Sequence, residues 1–220
     1  MEMAVPLPHN SFYAFYPTLP SELQLNGEEF ERIWNLHPAE YGKVNVFGEK
    51  NTPRYQQSFG HSYKFSKTEH PAVPLTDPFL CRVMQYCSEH TSTYMQKVPF
   101  NGELVNFYVN GNHYIGAHSD SETDLVAGSP IYSFSYGEIR DFIITPNKIK
   151  NGDTSDYTQE WKQYKIANKL DEDRIVLSLP NNSLVIMGGD MQKHYKHAVP
   201  KRALSSCPNR RINVTVRHFK

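Results

Sequence analysis

The chain of 220 residues is predicted to be mainly β with flanking helices, an α+β domain, and three observations carry that prediction. Short runs of aliphatic and aromatic residues, broken by Gly, Asn, Pro and Asp clusters, recur from Leu104 to the C-terminus. The clearer helical periodicity lies in two stretches before Phe100. A hydrophobic fraction of 39% suffices for a core, while a mean hydropathy of −0.60 and the lack of an apolar run of membrane-spanning length exclude an integral membrane protein.

Taken in order, the first twenty residues hold Pro6, Pro8, Pro17 and Pro20, with Pro38 nearby, and are expected to form an irregular arm. From Glu22 to Leu36, Leu23, Phe30, Ile33 and Trp34 mark a short amphipathic helix that must end before Pro38, because the residue preceding proline avoids helical geometry. A second helix starts at Thr76, read as N-cap before Asp77 and Pro78, and runs through Leu80, Val83, Met84, Cys87 and Tyr94. Strands are expected at Leu104–Tyr108, Ile131–Tyr136, Asp141–Thr145, Ile175–Leu179, Leu184–Met187 and Ile212–Phe219, closing a barrel or sandwich with helices on one side. Between them, 146–173 is polar, weakly helical around Gln159–Lys169, and reads as a solvent-exposed insertion.

The net charge of zero hides two opposed parts. Residues 190–220 hold eight basic residues against one acidic, a balance of +7, and residues 1–189 hold 15 against 22, a balance of −7. Cys81, Cys87 and Cys207 are odd in number, have no metal-type spacing and follow no signal-like N-terminus, so they read as small buried apolar residues of a protein in a reducing intracellular compartment.

His118-Ser119-Asp120 places an imidazole and a carboxylate at i and i+2, which share one face of an extended chain. A third ligand must come from a second strand, with His194 and His197 as candidates after the turn Gly188-Gly189-Asp190. Two histidines and one carboxylate with open positions suit non-haem Fe(II), whereas a structural zinc site wants four ligands, usually with sulfur. The segment Arg211-Ile212-Asn213-Val214-Thr215-Val216-Arg217 alternates strictly. If Arg211, Asn213, Thr215 and Arg217 face inward, the arginines call for an anion, and a dicarboxylate such as 2-oxoglutarate suits one at each end. If Ile212, Val214 and Val216 face inward instead, the arginines are merely solvated.

With these pieces assembled, the chain resembles the AlkB family of Fe(II)- and 2-oxoglutarate-dependent nucleic-acid dealkylases. The resemblance covers roughly residues 40–220 apart from 146–173, and rests on Asn106-Phe107-Tyr108, His118-Ser119-Asp120-Ser121-Glu122, Ser129-Pro130-Ile131 with Ser133, Ser135 and Gly137, Arg140-Asp141-Phe142, Gly188-Gly189-Asp190, His197 and Arg211-x-Asn213-x-Thr215-x-Arg217. Val46-Phe47-Gly48, Pro53-Arg54 and Phe59-Gly60 are similar to the lid of the branch that repairs double-stranded DNA in animals.

The resemblance implies a double-stranded β-helix (jelly-roll) core over 76–220, an arm and short helix over 1–40, and a nucleotide-recognition lid over 41–75. His118, Asp120 and His197 would bind Fe(II). Asn106, Tyr108, Arg211, Asn213, Thr215 and Arg217 would hold 2-oxoglutarate, with Arg211 on its distal carboxylate. Val46 and Phe47 before Gly48 would act as a wedge filling the gap left by an extruded base. Tyr63 and Phe65 would line the base, Glu122 would contact its exocyclic amine, Lys201 and Arg202 would meet phosphates, and Arg54 would touch the strand near the lesion.

The implied reaction is oxidative demethylation of 1-methyladenine and 3-methylcytosine in DNA with O2, releasing formaldehyde, succinate and CO2, by an intracellular monomer, nuclear or cytoplasmic, without membrane contact. RNA demethylation and protein-directed oxygenation are the alternatives. Phe107 stands where a polar residue is common, 146–173 has no counterpart, and the basic loop has two adjacent cations rather than three. With two arginines assigned to 2-oxoglutarate, about +5 remains near the site, which predicts a shallow salt dependence of nucleic-acid binding.

Overall fold

A computed structural model describes residues 4–45, 48–65, 68–91, 99–147 and 156–220. In chain order the elements are β1 (Val5–Leu7), β2 (Ser11–Tyr16), α1 (Gly27–Trp34), β3 (Lys43–Asn45), β4 (Glu49–Asn51), β5 (Tyr55–Phe59), β6 (Tyr63–Phe65), β7 (Thr68–His70), β8 (Ala72–Val73), α2 (Pro78–His90), β9 (Gly102–Tyr108) and β10 (Ile115–His118). They continue as β11 (Ile131–Gly137), β12 (Arg140–Pro146), α3 (Asp156–Ala167), β13 (Ile175–Leu179), β14 (Ser183–Gly189), α4 (Met191–His194), β15 (Tyr195–Val199) and β16 (Arg211–Arg217).

Two sheets face one another. The larger has the order β1-β2-β14-β11-β16-β9-β5-β8 and the smaller β10-β15-β12-β13, antiparallel throughout except for β5 with β8. Strict alternation gives the larger sheet two buried faces. Val105, Phe107, Tyr132, Phe134, Tyr136, Ile212, Val214 and Val216 pack beneath α1 and α2 with Ile33, Phe79, Leu80 and Val83, while Leu104, Ile131, Val185 and Met187 meet Phe142, Ile144, Tyr195 and Val199 of the smaller sheet. The two inward orientations weighed for β16 are therefore both realised: its apolar residues support the helices and its polar residues face the second sheet.

The expected strands all form, and β13 keeps its bounds. α1 is shorter than its pattern because Asn26 and Glu29 close a reciprocal capping box at its start. α2 is capped by Asp77 rather than Thr76, its carboxylate accepting from the Phe79 and Leu80 N–H groups; Tyr94 lies outside the described residues.

Two expectations need correction. The proline-rich start is not an irregular arm: Ser11–Tyr16 joins the large sheet beside β14, because its prolines flank the strand and its own residues alternate between the two packed faces. Nor is the insertion wholly solvated, since Trp161 of α3 is 3% exposed and its ring meets Tyr195 edge-on at 6.0 Å. At the end of β14, Gly189 adopts φ +64°, and a Cβ there would lie 1.9 Å from the Asn10 carbonyl oxygen. This tight turn leads into α4 and β15, and so to His197.

Candidate active site

A cavity of about 200 Å³ opens between the two sheets, lined by β9, β11 and β16 on one side and by β10, β12 and β15 on the other. Strand pairing builds a candidate metal-ligating cluster at one end. His118, the last residue of β10, stands directly across from His197 on β15, and their ring centroids are 4.3 Å apart. Asp120, two residues beyond the strand, turns back so that its Oδ1 lies 3.8 Å from His118 Nε2. One ligand atom from each of the three residues falls within 4.8 Å of the others, the one such cluster among the described residues. His194 takes no part in it; it sits in α4 with its ring 4.9 Å from that of His9.

The surroundings fix this donor set. His118 Nδ1 lies 2.9 Å from the Gly116 carbonyl oxygen, which makes it the protonated nitrogen and leaves Nε2 as the free donor. Phe142 stacks on His197 at 5.4 Å. The Asp120 loop is tied to the β14–β15 connection through Asp120 N–H to Gln192 Oε1 (2.9 Å) and Ser119 Oγ to the Tyr195 carbonyl oxygen (2.7 Å). Burial alone would raise the Asp120 carboxyl, but Arg217, His197 and His118 outweigh it and hold the group well below the usual carboxylate range. Burial, reinforced by neighbouring His118, pushes the His197 imidazole down to about 3, so it stands neutral and ready to ligate.

The opposite end is cationic. Arg211, 1% exposed, reaches Ser135 Oγ with Nη2 (2.8 Å) and lies 4.9 Å from the centre of the Tyr108 ring. Its Nε and Nη1 are buried and have no partner in the protein. A buried guanidinium with two unmatched donors calls for an anion. The polar floor between is closed on itself: Asn106 Nδ2 donates to Asn213 Oδ1 (3.3 Å), Asn213 Nδ2 to Ser133 Oγ (2.9 Å) and to the Phe134 carbonyl oxygen (2.7 Å), and Thr215 Oγ1 to Asn213 Oδ1 (3.1 Å). Two imidazoles and a carboxylate at one end and an anion receptor at the other fit Fe(II) and a dicarboxylate cosubstrate.

Arg54, Tyr63 and Arg217 all line the cavity, but with contacts that their sequence roles did not include. Arg217 does not present a free guanidinium to 2-oxoglutarate; its Nη2 and Nε donate to Asp120 Oδ2 at 2.9 and 3.3 Å, and the neighbouring carboxylate accounts for that choice. Arg54, expected on the strand near the lesion, is 5% exposed and lines the cavity with its Nε on Asn106 Oδ1 (2.6 Å), so its guanidinium is engaged inside the protein. Tyr63 is held by the Asp120 loop: its OH accepts from Ser121 N–H (3.3 Å) and lies 3.5 Å from Asp120 Oδ1, with Arg217 over its ring at 4.7 Å. Glu122 lies outside the cavity lining.

The Phe65 side chain, Val46 and Phe47 lie outside the described residues; Gly48, which follows them, has φ +103°. Lys201 is exposed, whereas Arg202 is paired with Asp141. The basic C-terminal balance is also less free than its count suggested, since Lys193, Arg210 and Arg217 pair with Asp190, Glu31 and Asp120. Gln192 and the anchoring role of Tyr195 gave no signal in the sequence. Ser133 and Ser135 entered only as motif pieces, although their alternation with Tyr132, Phe134 and Tyr136 would have marked a polar face.

Comparison with known proteins gives the family. The family model of the 2OG-Fe(II) oxygenase superfamily matches residues 28–217. The DNA oxidative demethylase ALKBH2 of Mus musculus is 33% identical over 196 residues, covering 86% of this chain and 72% of that protein. ALKBH2 of Homo sapiens is 29% identical over 194 residues, covering 86% of this chain and 66% of that protein. Alpha-ketoglutarate-dependent dioxygenase alkB homolog 3 of Homo sapiens is 30% identical over 168 residues, covering 75% and 51%. The solved structure of OsALKBH1 superposes with a TM-score of 0.57 at 15% identity over 99% of this chain and all of that one, a likeness of fold consistent with the jelly-roll expectation. With a candidate metal triad and a buried arginine with unmatched donors in one cavity, and with the family model and relatives above, the chain belongs to the 2OG-Fe(II) oxygenase superfamily, on its AlkB branch, as a dioxygenase that uses Fe(II), 2-oxoglutarate and O2.

Proposed function

We propose that this chain removes methyl groups oxidatively from base nitrogens in DNA, with 1-methyladenine and 3-methylcytosine as substrates. The observation that carries the reading is the shared cavity: the triad of His118, Asp120 and His197 faces an Arg211 with two unmatched donors, in a chain whose relatives are named for DNA oxidative demethylation. His118, Asp120 and His197 would hold iron, and Arg211, with Tyr108 and Asn106, would hold the distal carboxylate of 2-oxoglutarate. Bound Fe(II) supplies the coupling of O2 reduction to cosubstrate decarboxylation, so that one oxygen atom enters succinate and the other the N-methyl group.

The protein's own residues do the positioning. Arg217 keeps Asp120 ionised, Gly116 sets the tautomer of His118, and Phe142 shields His197 from water. Arg54 acts as a positioning residue that orients Asn106. The resulting N-hydroxymethyl group needs no protein base to break down: its C–N bond cleaves, the nitrogen takes the hydroxyl proton, and formaldehyde leaves. Segment 41–75, which carries the hairpins β3–β4 and β6–β7, serves as the lid, with Val46 and Phe47 as wedge, Phe65 at the base and Lys201 on a phosphate. Such a reaction belongs inside the cell, in nucleus or cytoplasm, and needs one copy of the chain.

A formaldehyde-release assay with Fe(II), ascorbate and 2-oxoglutarate, on 1-methyladenine in single-stranded DNA, duplex DNA and RNA, tests the proposal. Turnover on DNA supports it, turnover on RNA alone moves the substrate, and no turnover on any strand refutes demethylation.

A further inference from the structure

Asp120 is the one member of the triad that stands outside a strand: His118 closes β10 and His197 lies within β15, whereas Asp120 sits on the loop that leads to β11. The bonds to Gln192 and Tyr195 hold one side of that loop. Its other side is held by residues 218–220, which continue beyond β16. Val126 N–H donates to the His218 carbonyl oxygen (2.9 Å), Lys220 N–H to that of Asp124 (3.0 Å), and Leu125 pairs with Phe219 between them. Lys220 Nζ adds a bond to the Thr123 carbonyl oxygen (2.8 Å).

Phe219 joins this short ladder to the lid segment. Its side chain is 3% exposed, and its ring stacks on His61 at 4.3 Å and 6° and meets Tyr63 edge-on at 5.6 Å. Tyr63 in turn accepts the Ser121 N–H and lies beside Asp120 Oδ1. Asn101 fixes the Phe219 backbone, since Phe219 N–H donates to Asn101 Oδ1 (2.8 Å) and Asn101 Nδ2 donates to the Phe219 carbonyl oxygen (3.0 Å). Gly102 leaves room for the ring, because a Cβ there would run into it. Two residues earlier, Arg217 holds the Asp120 carboxylate itself. One stretch of chain thus grips the loop at its ligand, its backbone and the tyrosine beside it.

A ligand on an irregular loop must be ordered before it can bind, and contacts that order it during folding remove that cost from metal binding. We propose that residues 218–220 form a strap, and that Phe219 is a positioning residue that sets the Asp120 loop against Tyr63 and so holds the carboxylate in place for the metal. The inference rests on the assignment of His118, Asp120 and His197 as metal ligands.

The test is calorimetry of Mn(II) binding to metal-free protein, beside thermal melts. Phe219→Ala raises the Mn(II) Kd about tenfold or more, and Phe219→Leu, which keeps much of the wedge, brings most of the affinity back. Phe79→Ala removes an equally buried ring from the helix-covered face of the large sheet; it lowers the melting temperature comparably and leaves the Kd at the wild-type level. Asn101→Ala changes an exposed side chain and decides the matter where Phe219→Ala is too unstable to titrate: its Kd rises about fivefold, and hydrogen exchange speeds up at amides 121–126 but not in β10 or β15. A wild-type Kd in Phe219→Ala or Asn101→Ala, or an equal rise in Phe79→Ala, overturns the positioning role. A wild type that binds no Mn(II) overturns the metal assignment instead.

Discussion

Replacing Arg211 by Met should leave the protein folded and take away its cosubstrate. The substitution removes a buried cation whose Nε and Nη1 have no partner, and sacrifices one hydrogen bond to Ser135 and the contact with the Tyr108 ring. Removing an unmatched buried charge and losing a neutral partner act in opposite directions, so without ligand the melting temperature should stay within a few degrees of wild type. With 2-oxoglutarate the two proteins should diverge. Two charge-assisted hydrogen bonds at about 1.5–3 kcal/mol each correspond to about a 10²- to 10⁴-fold rise in the 2-oxoglutarate Kd. At about 100 times its Kd, the ligand stabilises the wild type by about 2.7 kcal/mol, or about 5–11 °C in a chain of this size; the variant should shift by less than about 2 °C at the same concentration. Thermal melts with Mn(II), with and without 2-oxoglutarate, read both quantities. A variant that keeps the ligand-induced shift, or that unfolds far below wild type without ligand, would refute the assignment of Arg211 as the anion receptor.

Other perturbations separate structural from chemical roles. Asp120→Ala strands Arg217 in the interior and should cost about 3–5 kcal/mol, whereas the double variant with Arg217→Met should regain most of that stability in denaturant melts and remain inactive. Glu103, 2% exposed and with neither carboxylate oxygen partnered, is raised well above its ordinary value by burial and then by Asp77. A raised folded value means that unfolding releases a proton, so its contribution is most favourable below about pH 4.5 and declines by about 1.4 kcal/mol per unit as pH rises, until the folded group ionises; the stability of Glu103→Gln relative to wild type should therefore grow between pH 5 and 8, and a constant difference would refute this. Gly189→Ala forces a side chain into the left-handed region and against the Asn10 carbonyl, and should cost at least about 2 kcal/mol, with a loss of metal affinity measurable by calorimetry because the turn feeds α4 and β15.

Much of the site was readable because metal ligation and strand alternation leave local traces. His118 and Asp120 are two residues apart, and Arg211 through Arg217 alternates without a break, so residue type and period pointed to the same chemistry. What the sequence hid is pairing in space. Nothing local says that Arg217 prefers Asp120 to a ligand, that Arg54 turns inward to Asn106, or that Gln192 anchors the loop of Asp120, because each contact joins segments at least 52 residues apart. The N-terminal strand was missed for a related reason: prolines were weighed above the alternation of Ser11–Tyr16, and its register depends on β14, far along the chain.

The claim that methyl groups are removed at this triad is tested most directly by one measurement: the intact mass of a 1-methyladenine DNA oligonucleotide after a single turnover with stoichiometric enzyme, Fe(II), 2-oxoglutarate and O2, for wild type and His197→Ala. The account calls for loss of one methylene from the oligonucleotide and one formaldehyde per enzyme in the wild type, with no change in the variant. An unchanged oligonucleotide in the wild type, or normal demethylation by His197→Ala, would contradict it.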